Sequence, residues 1–226
     1  FVHQSMFTGI LPFVDQGNTY QLMDQNVAYN ASPQNIAAAK QPISLFVCPT
    51  DSWRPNAADT DGFGCTDYAP IYYIDLDPAT GVRNPNLRVD GALTLSFTRH
   101  SQVADGLSNT IFVGEDIGRD ERMQPGHVYI DPLDGDKRRF WRWAEPDTAI
   151  GISKPINNNK SPQGGPVACP WTMNNCGLFD EIFSFHAGGA FVLLGDGSVR
   201  FLNESLDLTT FRGLLTPRGS EVLGEF

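Results

Sequence analysis

Apolar positions along the chain pass from helical spacing to strand spacing and back, and the spacing of each segment predicts its element. Between residues 5 and 24, Phe7, Ile10, Leu11 and Val14 are spaced by three and four, which places them on one helical stripe. Pro12 falls inside that stripe. It lacks an amide donor and crowds the preceding turn, so the segment should kink or break into two short helices. Ser32-Pro33 offers a second helix start, an acceptor side chain followed by a residue with pre-set φ, and the alanines at 37–39 carry that helix to about Lys40. Residues 44–47 and 110–114 are short apolar or β-branched runs and predict strands. Residues 184–202 read SFHAGGAFVLLGDGSVRFL, in which 191–194 and 198–202 flank Gly195-Asp196-Gly197. This predicts a β-hairpin with an Asp-Gly turn whose two central residues take positive φ. Residues 191–194 are apolar on both faces and belong inside the sheet, whereas Val199 and Phe201 alternate with Ser198 and Arg200 and predict one buried and one wetter face. Gly188-Gly189 lets the backbone bend or approach another strand closely. Asp207 then caps a helix whose Leu208, Phe211, Leu214 and Leu215 should pack back on the sheet.

These elements predict an α+β fold, with short N-terminal helices packed on a mainly antiparallel β-sheet that carries long irregular insertions. Composition agrees: 22 Gly and 16 Pro cut the chain into short segments, and 226 residues with 41% hydrophobic content suffice to bury one large core, read here as a single domain over 1–226. Charge narrows the partners. Sixteen Lys and Arg against 26 Asp and Glu give −10, which opposes attraction to nucleic acid or to anionic lipid. No apolar run reaches the ~18 residues of a membrane span. Four cysteines lack any C-x-x-C spacing, which disfavours zinc; Cys48 with Cys65 and Cys169 with Cys176 bracket closable loops, as disulfides in an oxidising compartment or as thiols.

Candidate chemistry is sparse. There is no HExxH, no nucleophile elbow and no phosphate loop. Glu115, at the end of an apolar strand, is a candidate general acid or base, or an anchor for an internal arginine. His186 and Asp196 are a candidate His-carboxylate pair across the base of the hairpin, or hold its entry through backbone contacts. Five aspartates of the 52–92 excursion (Asp59, Asp61, Asp75, Asp77, Asp90) are expected to solvate loops, and the compact Asp131, Asp134, Asp136 run is a weak calcium candidate; no other cofactor is expected. Trp141 and Trp143, with Trp171, are either packed strand residues or a flat platform for a glycan.

Several of these segments carry a resemblance. His186, nine intervening residues and Asp196-Gly197 resemble the C-terminal H-x9-DG signature of the DUF1559 family, in which Gly188 and Gly189 would share the structural motif. MFTGILPFVDQGNTYQLMD resembles the family's ILPYLEQ…LY segment, Cys48-Pro49-Thr50-Asp51 its CPSD, Thr66-Asp67-Tyr68 its T(D/N)Y strand, RHSQVADGLSNTIFVGE its ITDGTSNT-x-x-x-GE, and Trp143-Ala144-Glu145-Pro146 a WAEP-like segment. The terminal T-x-x-GGE is altered here to Arg218-Gly219-Ser220. The resemblance implies a pseudopilin-like protein of the kind abundant in planctomycetes, related in design to type IV pilins and type II secretion subunits. It implies a variable insertion at about 116–168, a location at the cell surface, outside the cell or in the periplasm, and partners that are copies of itself or other envelope subunits. Membrane contact would come only through a hydrophobic N-terminal helix, expected upstream of Phe1. A non-enzymatic structural subunit is therefore the leading expectation, with a glycan- or solute-binding module and a secreted hydrolase using Glu115, His186 and Asp196 as alternatives.

Overall fold

Proline and side-chain acceptors set where three of the four described α-helices start. The computed structural model describes residues 4–51, 56–94, 99–117, 139–158 and 181–219. The chain divides into two units, one built from Phe1–Asp67 with Arg119–Thr148, the other from Tyr68–Gly118 with Ala149–Phe226.

In the first unit, Ser5 caps α1 (Met6–Ile10) by accepting from the Thr8 amide. The chain then tightens into a 3-10 turn at Leu11–Phe13, with Pro12 in its first positions, where a missing amide costs nothing. The break anticipated at Pro12 separates α1 from α2 (Gly17–Leu22). Ser32 caps α3 (Pro33–Ala39) through the Asn35 amide, and Lys40 closes it. Buried Asn35 does more than sit in that helix: its Oδ1 accepts from the Asp24 amide at 2.8 Å and its Nδ2 donates to the Asp24, Val27 and Ala28 carbonyls, which pins the loop between α2 and α3.

The strand expected at 44–47 does not form. Ser44–Phe46 is a 3-10 turn, because the two side chains that bury, Ile43 and Phe46, lie three apart while Leu45 faces out. Phe46 packs between Phe7 and Trp143, with ring centroids 4.8 and 6.2 Å away, and forms the centre of this unit's core.

The second unit holds the sheet. Its strands are β1 (Tyr68–Ile74), β4 (Val89–Asp90), β5 (Ile111–Glu115), β6 (Ile150–Ile152), β7 (Gly189–Leu194) and β8 (Val199–Asn203), in the order β4-β1-β5-β7-β8 with β6 also on β1. Every pairing is antiparallel except β1 with β6. A separate two-stranded ribbon joins β2 (Leu76–Asp77) to β3 (Val82–Arg83). The α+β class and the mainly antiparallel sheet expected from the sequence are therefore present. Asp207 caps α4 (Leu208–Leu215), whose Phe211, Leu214 and Leu215 bury against Ile71, Ile111, Val192 and Leu202 of the sheet.

Two details of the hairpin differ from expectation. Asp196 does not take positive φ; only Gly197 does, at 88°. Gly197 N donates to Leu194 O and Leu194 N to Ser198 O, so the loop has three residues and closes on a left-handed glycine rather than on a two-residue turn. The second difference is polarity. Val199 and Phe201 were the expected buried face of the return strand, yet they are 63% and 42% exposed, and Leu202 is the buried residue.

Candidate functional site

At the base of the hairpin the motif residues meet the end of β5. Glu115 is buried, and its Oε2 accepts from the Phe191 amide at 2.8 Å while Oε1 lies 3.5 Å from His186 Nε2. The His186 ring stands edge-on to Phe191, with centroids 5.2 Å apart. Among the described residues, Glu115 thus anchors a histidine and a strand amide. The entry to β7 is fixed further by Asn157, which accepts from the Ser184 amide and donates to the Gly189 carbonyl and to Glu204.

Asp196 is not part of this group. It lies past the other end of β7 from His186, and its Oδ1 accepts from the Ser198 amide at 2.8 Å and the Ser198 hydroxyl at 2.6 Å. A six-residue strand spans roughly 20 Å at about 3.3 Å per residue, too far for a His-carboxylate pair. The hydroxyl and amide of Ser198 hold the Asp196 carboxyl below the usual carboxylate range. The structure therefore joins two of the three candidate catalytic residues, Glu115 and His186, and assigns the third to turn closure.

The first unit contains a polar group that sequence reasoning did not assemble. Arg142 is buried, with Nε donating to Asp59, Nη2 to Asp61 and Nη1 to the Tyr29 hydroxyl at 3.3 Å. Its guanidinium carbon lies 3.9 Å from the centre of the Phe63 ring. The Tyr29 hydroxyl donates in turn to Glu145 Oε2 at 3.0 Å. Burial pushes the Glu145 carboxyl up to about 7, even though the Tyr29 bond pulls the other way, and burial and the Glu145 charge raise Tyr29 as well. Burial works against the Arg142 charge, but Tyr29 and Asp59 outweigh it. The only linear signal for this cluster was the Trp-Arg-Trp-Ala-Glu stretch itself; Tyr29, Asp59 and Asp61 come from 81 to 116 residues away.

Other candidates resolve differently. Trp141 and Trp143 are buried, their indole N–H groups donating to Asp59 and to the Gln41 carbonyl, so they are core residues and not an exposed glycan platform. Asp59 and Asp75 are not loop solvators: Asp75 is fully buried and takes Arg83, Arg88 and the Ser153 hydroxyl. Cys48 and Cys65 are not joined by a disulfide. They are buried thiols with separate local contacts, Cys48 Sγ with Thr50 Oγ1 at 3.0 Å and Cys65 Sγ to the Phe63 carbonyl at 3.7 Å. Trp171, Asp131, Asp134, Asp136, Cys169 and Cys176 lie outside the described residues.

Fold and site together define an α+β protein whose conspicuous polar residues, Glu115, His186, Asp196, Arg142 and Asp75, each hold backbone or another side chain in place. The family model for the protein of unknown function DUF1559 matches residues 3–209, and the chain belongs to that family. No curated protein and no solved structure matches it.

Proposed function

We propose that the chain is a non-enzymatic, extracytoplasmic, pseudopilin-like subunit of a surface filament or secretion-type assembly. The observation that carries this reading is the DUF1559 match over residues 3–209. The hairpin base supports it: Glu115 binds a strand amide and His186, and Asp196 closes its own turn, which is architecture that a binding or assembly scaffold needs. Its partners are copies of itself or other envelope subunits, and it needs no cofactor. No helix among the described residues is long and apolar enough to cross a membrane, so any anchoring belongs to a segment other than those.

Fractionation of native cells with an antibody to the chain tests the reading. The protein should appear in material sheared from the cell surface, as a ladder of cross-linked multimers. Recovery solely as an uncross-linked cytosolic protein would overturn it.

A further inference from the structure

Arg142 holds the loop at residues 57–64 from its buried side. Asp59 organises that loop: its Oδ1 accepts from the Asp61 and Phe63 amides at 3.1 and 2.9 Å, and its Oδ2 takes Arg142 Nε and the Trp141 indole N–H. Arg142 Nη2 reaches Asp61, and its guanidinium covers the Phe63 ring. The loop is held against a cost, since Ala57 takes φ 51°, a left-handed value that a residue with a β-carbon keeps only where its surroundings impose it. On its other side Arg142 donates to the Tyr29 hydroxyl, which donates to Glu145. One guanidinium therefore bonds the loop directly and Glu145 through a single hydroxyl.

We propose that Arg142 is the arm of a proton-operated clasp: with Glu145 protonated it is committed to Asp59 and Asp61 and the loop is closed, and when Glu145 loses its proton the guanidinium turns toward it and the loop loosens. Among the described residues, the titratable and charged groups around Glu145 are Tyr29 from the segment before α3, Arg142 and Asp147 from its own turn and, beyond Arg142, Asp59, Asp61 and Lys40 around Phe63. Tyr29 keeps its proton, because burial and the Glu145 charge both raise it, so it donates to Glu145 in either state. Protonated Glu145 leaves Arg142 to two carboxylates. Ionised Glu145 adds a third, beside the like charge of Asp147 and in a site where burial opposes it. A buried charge is costly unless paired, and the guanidinium one hydroxyl away is the compensation at hand, gained at the expense of Asp59 and Asp61. Local opening is the smallest response available: residues 59–62 are already exposed or half-buried, whereas unfolding exposes the whole core. Release of Ala57 from its left-handed conformation favours the same direction. The device goes beyond the reading of the chain as an assembly subunit and does not rest on it.

Amide hydrogen exchange of the purified chain, followed by nuclear magnetic resonance from about pH 5.5 to about 8.5 and well below the melting temperature, tests the clasp. Rates are converted to protection factors, which removes the intrinsic pH dependence of exchange. Protection of the Gly62 and Phe63 amides, both bonded to Asp59, should fall at least about tenfold across that interval while the β7–β8 amides stay level. The Trp141 indole N–H resonance should move with the same midpoint. Glu145→Gln should keep the low-pH protection throughout. Asp147→Asn removes the like charge beside Glu145 and should shift the midpoint to lower pH, a readout that stands even where Glu145→Gln does not fold. Level protection in the wild type overturns the proposal, as does a fall that persists in Glu145→Gln, an unmoved midpoint in Asp147→Asn, or a loss shared equally by β7 and β8, which is loosening of the whole fold.

Discussion

Glu115 and the two H-x9-DG residues, His186 and Asp196, do different amounts of structural work, and the difference follows from burial. Glu115 is enclosed and is the acceptor for the Phe191 amide, so Glu115→Ala leaves a buried donor without its partner and should cost about 1–3 kcal/mol. His186 is partly exposed and its contact with Glu115 is longer, so His186→Ala should cost about 1 kcal/mol. Asp196→Ala should cost least, because the Ser198 amide it serves is at an exposed turn where water substitutes. Urea denaturation of the three variants should give that order. An unchanged midpoint for His186→Ala would remove it from the architecture and bring the hydrolase reading forward.

At the scale of elements, the hairpin depends on a close approach as much as on its turn. Gly189 pairs with Asn203, and a β-carbon at Gly189 would overlap the Leu202 carbonyl oxygen and press on the Phe201 ring. Gly189→Ala should therefore force β8 away from β7 and cost more than about 2 kcal/mol, well beyond the ordinary gain from replacing a glycine. Gly188→Ala meets no neighbour but sits at φ 83°, so it should cost about 1 kcal/mol from backbone strain alone. Hydrogen exchange at β8 amides should separate the two: fast exchange in the first, near-native protection in the second. Elements with a local cause were legible in the sequence. Ser32-Pro33 and Asp207 set helix starts within one or two residues of their own position, Pro12 broke the N-terminal stripe, and the hairpin announced itself through Gly195-Asp196-Gly197. Elements decided by distant partners were not. Ile43 and Phe46 became a 3-10 turn because both had to bury, and the exposure of Val199 and Phe201 depends on which side of β7 the core occupies. Alternation shows that two faces differ; it does not show which one is covered. The Arg142 cluster was illegible for the same reason, since its partners are supplied from two distant stretches of chain, around Tyr29 and from Asp59 to Phe63.

For the molecule as a whole, the ionisable groups set opposing limits on stability. Asp77, Asp196 and Asp207 are held below the ordinary aspartate range, first by the Ala79 amide, the Ser198 hydroxyl and the Thr210 amide respectively. Each contributes stability that is present above about pH 4 and is lost as pH falls through its folded value. Asp196 and Asp207 are exposed and Asp77 is only half-buried, so these contributions are small. Glu145 acts in the opposite direction and from inside. Burial raises it from 4.5 to about 7, so between those values the folded chain holds a proton that the unfolded chain has released. Its contribution is complete below about pH 4.5 and disappears as pH rises through about 7. At about 1.4 kcal/mol per pH unit the full effect is at most about 3.5 kcal/mol, enough to move a chain of this size by several degrees. The wild type should melt at a higher temperature near pH 5.5 than near pH 8.5. Glu145→Gln keeps a neutral side chain beside the Tyr29 hydroxyl at every pH, so its melting temperature should be nearly level across that interval. Thermal denaturation of both proteins, followed by circular dichroism and tryptophan fluorescence, checks this. Equal slopes in the two proteins would mean that Glu145 does not titrate in that interval, and that the Arg142–Tyr29 contacts stabilise its charge more than burial opposes it.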